Sequence, residues 1–109
     1  MKCYLITRLP DGTLRLLCQE IVQSGPQKGQ LVETRPAGPF DTGNSSKETK
    51  ALASAIMSHY FGADPAAAAE AQRKVEPFLN AFLLTHRMPE PGSYEISGDV
   101  IDRFFNLFS

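Results

Sequence analysis

The sequence predicts an α+β domain: an N-terminal antiparallel β-hairpin, or a small three-stranded sheet, packed against three α-helices. Three observations carry that prediction. Two runs of strand formers, CYLITRL and TLRLLCQ, flank the turn Pro10-Asp11-Gly12. Residues 44–62 repeat apolar side chains at three- and four-residue intervals between a start and a stop signal. Two later segments, 64–87 and 97–108, show the same helical spacing. A chain of 109 residues can bury one hydrophobic core and not two, so residues 1–109 are expected to form a single domain.

In the hairpin, Pro10 presets its own backbone angle and Gly12 accepts a positive φ, so a type I turn closed by a bulge is expected. Leu9 then faces Thr13, and Tyr4, Ile6 and Arg8 lie opposite Cys18, Leu16 and Leu14. That register leaves Leu5 and Leu17 on the other face with Thr7 and Arg15, a face only partly exposed. It also keeps Cys3 and Cys18 from opposing each other, which a slip of one residue would undo. The polar turn SGPQKG precedes a short third strand at Leu31 to Thr34. The next stretch, RPAGPFDTGN, holds two prolines and two glycines. It is expected to carry the chain from sheet to helix, anchored by Phe40, and its backbone is the best loop candidate for binding.

Ser45 followed by Glu48 reads as a capping box that starts the central helix, and Gly62 stops it. Leu52, Ala53, Ile56, Met57 and Tyr60 form the stripe that faces the core. Asp64 and Pro65 supply the N-cap and first residue of a second helix, strengthened by the alanine run 66–69. Its stripe of Ala71, Val75, Phe78, Leu79, Phe82 and Leu83 crosses Pro77, where a kink near Arg73 is expected first and a split into two shorter helices is the alternative. After the break MPEPGS, Tyr94 to Ile96 is briefly extended and Ser97 caps a last helix. Ile101, Phe104, Phe105 and Phe108 make an aromatic stripe there that must pack inside or against a second subunit.

Composition excludes more than it proposes. Twelve acidic residues against eleven basic ones fit neither a basic nucleic-acid binder nor an acidic nucleic-acid mimic, so nucleic acid is not an expected partner. No apolar run approaches a membrane span and no signal-peptide core opens the chain, so the cytoplasm is the expected location. Cys3 and Cys18 read as buried thiols rather than a disulfide. His59 and His86 belong to no metal-binding spacing, and each can instead face the carbonyl end of a helix. No metal, cofactor or catalytic residue is expected. Gly43, Asn44, Ser45, Ser46 and Lys47 combine a glycine loop, a helix N-terminus and a lysine, the ingredients of an anion site without the spacing of a phosphate loop. Phe40, Asp41, Phe105 and Phe108 are candidates for partner contact.

The segments GNSSKETKALASAIMSHYFG and EISGDVIDRFF resemble those of a small uncharacterised bacterial and phage domain, domain of unknown function 6166. The resemblance spans the last two thirds of the chain. It implies a setting, bacterial or phage cytosol among mobile-element genes, and no chemistry. The function expected first is therefore a non-enzymatic interaction protein, a phage or mobile-element accessory factor that binds a host protein or assembles as a homodimer. Two alternatives stand beside it: a sensor that binds a small anionic ligand near residues 44–47, and a small cysteine-dependent enzyme using Cys18 and His59.

Overall fold

A computed structural model describes residues 2–62 and 64–108, the side chains of Leu107 and Phe108 excepted. Strand β1, Lys2–Arg8, pairs antiparallel with β2, Leu14–Ile21, in the register expected: Tyr4 opposes Cys18, Ile6 opposes Leu16 and Arg8 opposes Leu14. The turn closes with the Leu9 N–H donating to the Thr13 carbonyl at 2.8 Å, and Gly12 has φ +92°. β3, Leu31–Thr34, extends the sheet beside Cys18 to Ile21.

A fourth strand enlarges the expected sheet. β4, Gly92–Ser97, pairs antiparallel with the free edge of β1, so the sheet runs β3-β2-β1-β4. Its brief extended character was legible, but its partner lies across the whole chain, where no local pattern points.

The helices follow the apolar stripes. α1, Lys47–Phe61, buries Leu52, Ala53, Ile56 and Met57, with Thr49 added. Its N-cap is Ser46 and not Ser45: the Ser46 hydroxyl accepts from the Thr49 N–H at 3.3 Å. Glu48 is thereby one residue short of the capping-box position, which Thr49 occupies. The shift is held by Asn44, whose Oδ1 accepts from the Ser46 N–H at 2.9 Å and from the Thr49 hydroxyl at 2.7 Å. At the far end Gly62, φ +109°, donates its N–H to the Ser58 carbonyl.

α2, Pro65–Phe78, begins as expected, with the Asp64 carboxylate accepting from the Ala67 N–H at 2.9 Å. Pro77 lies inside it, and the helical path widens just beyond into a π-helical segment, Leu79–Leu83, rather than breaking into two helices. The Leu84 N–H donates to the Leu79 carbonyl at 2.8 Å. The preceding loop holds the end of this segment: the Gly43 N–H donates to the Leu83 carbonyl at 2.8 Å, and the Thr42 hydroxyl to the Leu83 and His86 carbonyls. α3, Gly98–Phe108, follows β4 directly, with the Ser97 hydroxyl accepting from the Val100 N–H.

All three helices lie on one side of the sheet. Tyr4, Ile6, Leu16, Cys18 and Ile96 share one continuous core with Leu52, Ile56, Phe78, Leu83, Ile101 and Phe105. The alternate residues Leu5, Thr7, Arg15 and Leu17 point to the opposite face, which no helix covers.

Candidate functional site

The uncovered sheet face becomes a groove because the chain after β3 crosses it. β3 is four residues long and pairs only with Cys18 to Ile21, so the edge of β2 away from β1 has no strand beside it near Leu14, and Phe40 makes an isolated antiparallel bridge to Leu14 there. Residues 35–40 reach that bridge through a cis Gly38-Pro39 peptide. Between this segment and the sheet lies a cavity of about 620 Å³. Leu5, Leu9, Leu17, Pro36 and Pro39 supply its apolar lining, and Phe40 closes one wall. Thr7, Thr13, Arg15 and Arg35 are its polar members, with no carboxylate among them.

A second cluster sits where the sheet meets the end of α1. The Lys2 ammonium donates to the His59 and Tyr60 carbonyls at 2.8 and 2.9 Å, so it occupies the helix C-terminus expected for His59 itself. The His59 ring instead shares a 2.9 Å hydrogen bond between Nδ1 and the Tyr4 hydroxyl, while Nε2 is 3.9 Å from Glu20. Burial and the neighbouring Lys2 charge lower the His59 pKa, partly opposed by Glu20. Burial likewise pushes the Tyr4 hydroxyl well up, so the pair is neutral. His86 also departs from its expected role: its ring stacks on Tyr94 at 3.6 Å between centroids.

The residues singled out from the sequence fall in three places. Gly43, Asn44, Ser45, Ser46 and Lys47 do surround a helix N-terminus, but their polar groups are largely engaged within the chain. Beyond the Gly43 and Ser46 amides already described, the Asn44 amide donates to Asp41 Oδ2 at 2.9 Å. Asp41 also accepts from Arg8 Nη2 at 2.9 Å and from the Thr42 N–H. Burial alone would raise its carboxyl, and the hydrogen bonds from Arg8, Asn44 and Thr42 outweigh that and hold it below the ordinary range. A carboxylate thus stands beside Asn44, one of the five residues of the expected anion site.

Phe40 and Phe105, the candidates for partner contact, are each only 8% exposed: Phe105 packs in the core, and Phe40 forms part of the groove wall. The Phe108 side chain lies outside the described residues. Cys18 is fully buried, and desolvation raises its thiol to about 11. Among the described residues, no group of three or more His, Cys, Asp or Glu side chains could hold a metal ion, and no helix is long and apolar enough to cross a membrane.

The chain matches no protein-family model, no curated protein and no solved structure. Geometry alone therefore identifies the groove as the candidate site. The sequence held two signals for it: Leu5 and Leu17 on the nominally polar sheet face, and a loop rich in proline and glycine directly after β3. That the loop folds back over those two leucines is a tertiary event with no local signature.

Proposed function

We propose that this chain is a non-enzymatic binding module and that its binding site is the groove on the outer face of the sheet. The observation that carries the reading is the cavity of about 620 Å³ with its leucine and proline lining. Small-molecule sites span roughly 300–1,000 Å³ and are mostly apolar with a few placed polar groups. The non-enzymatic part is supported by the chemistry of the two groups a cysteine-dependent enzyme would use. A Cys18 thiol with a pKa of about 11 is protonated at neutral pH, and His59 is engaged by Tyr4.

A fragment screen followed by amide NMR tests this reading. Binders are expected to shift Leu5, Thr7, Leu17 and residues 35–40, and at a hundred times their Kd to stabilise the fold by about 2.7 kcal/mol. Leu17→Glu puts a charge into the groove from a half-buried position and should abolish both responses with an unchanged circular dichroism spectrum. Binders that shift only the helical layer, or that bind Leu17→Glu equally well, would defeat the reading.

A second reading, an interaction protein that pairs with a partner protein or a second copy, is favoured by β3. All four of its residues are exposed, Leu31 at 52% and Val32 at 45%, and it forms one edge of the sheet. An uncovered strand edge is a template for another strand. In the phage setting implied by the family resemblance, the partner is a host protein. Light scattering at high protein concentration addresses self-pairing: association should be lost on Leu31→Lys combined with Val32→Lys, and a strict wild-type monomer removes that half of the reading.

A further inference from the structure

We propose that the groove takes an aliphatic chain ending in an anionic head group, and that Arg15 and Arg35 hold that head group. The inference rests on the groove being the binding site and adds the class of ligand.

The argument begins with the lining. Leu5, Leu9, Leu17 and Pro39 present saturated carbon, a surface suited to a flexible hydrocarbon chain. Arg15 and Arg35 line the same groove and no acidic residue does, although the chain as a whole carries a net charge of -1; on the same sheet face Glu95 opposes Leu5 and Glu33 accepts from Gln19, both outside the lining. The positive charge is therefore a property of the groove lining and not of the whole sheet face.

Neither arginine makes an ion pair among the described residues, whereas Arg8 is paired with Asp41, and Arg73 with Glu70. Asp11 feels the charge of Arg15 only weakly. Its carboxyl is lowered first by hydrogen bonds from Thr13, with Arg15 a smaller contributor, and it does not line the groove. Both arginines are exposed, so neither is committed to holding the fold together. A guanidinium presents a rigid fork of donors that fits carboxylate and phosphate oxygens, and its charge attracts such groups toward a low-dielectric wall. An apolar trough beside two unpaired forks selects a molecule with a greasy body and a negative end. A neutral hydrocarbon would leave both arginines unused, and a cation would meet repulsion.

The test is a titration of the full chain, followed by amide NMR, with four probes sharing one ten-carbon-type chain, each kept below its micelle concentration. Decanoate and decyl phosphate carry the two candidate head groups, decan-1-ol is neutral and decyltrimethylammonium is cationic. At least one anionic probe is expected to shift Leu5, Leu17 and residues 35–40 and to bind at least about tenfold tighter than the alcohol, the equivalent of one charge-assisted contact. Added salt should narrow that gap. The Arg15→Gln/Arg35→Gln variant should bind the anions no better than the alcohol, with alcohol binding unchanged. Arg35→Lys, which keeps the charge and loses the fork, should fall between.

Alcohol binding in the groove as tightly as both anions, or a glutamine variant that keeps full anion affinity, would overturn the inference and leave the groove reading standing. Four probes that all fail to shift the groove would remove this inference and the small-molecule reading together.

Discussion

Phe78→Ala is expected to cost about 3–5 kcal/mol of folding stability, a large part of the roughly 5–15 kcal/mol that holds a domain together. Phe78 is fully buried at the last turn of α2, and its ring stacks on Phe82 with centroids 4.9 Å apart. Truncation removes apolar area from the centre of the helical layer. Its neighbours belong to one close-packed core, so the space it leaves closes only in part. Urea unfolding of the variant measures the loss directly. Gln72→Ala, on the exposed side of the same helix, should stay within about 0.5 kcal/mol of wild type. A loss below about 1 kcal/mol for Phe78→Ala would mean that the helical layer is not packed as described.

Gly43→Ala carries the second large effect, about 2–4 kcal/mol, from two sources that act together. The backbone at Gly43 has φ +81°, which disfavours any side chain. A Cβ there would also lie 2.8 Å from Arg87 Cγ and 2.9 Å from Arg87 Cα. The first neighbour can rotate away, but the second is backbone and cannot. Gly12→Ala separates the two sources. Gly12 has φ +92° and open space around its Cβ position, so only the conformational part, about 1–2 kcal/mol, should remain. Equal losses at the two positions in thermal or urea unfolding would show that the contact with Arg87 contributes nothing.

How much of this molecule could be read from its residues divides by the range of the interaction. The hairpin register was legible because strand side chains alternate with a period of two, and Tyr4, Ile6, Leu16 and Cys18 leave one arrangement that puts them on a single face. Asp64-Pro65 and Gly62 marked the break between α1 and α2 through chemistry confined to one or two residues. The N-cap at Ser46 was missed by one position because three consecutive polar residues, Asn44 to Ser46, can each cap. The choice fell to the bonds from Asn44 to Thr49 and Ser46.

Longer-range features left weaker traces. The pairing of β4 with β1 and the bond between His59 and Tyr4 join residues far apart in the chain, so neither is visible in a local window. The candidate site falls between these cases. Its leucines stood out on the wrong face of a hairpin, and its loop stood out by composition, but their meeting depends on where β3 stops.

The order of the strands bears on how the chain is made. β1 is made before β2 and lies next to it in the chain, yet its other edge waits for residues as distant as Ser93, 86 positions after Thr7. During synthesis that bare edge is open to any passing extended segment, including the β1 of a neighbouring nascent chain. Lys2, which reaches past the sheet to the end of α1, is equally left without its carbonyls until that helix forms. The molecule thus closes late, with its final strand acting as the fastening that ends its exposure to mispairing.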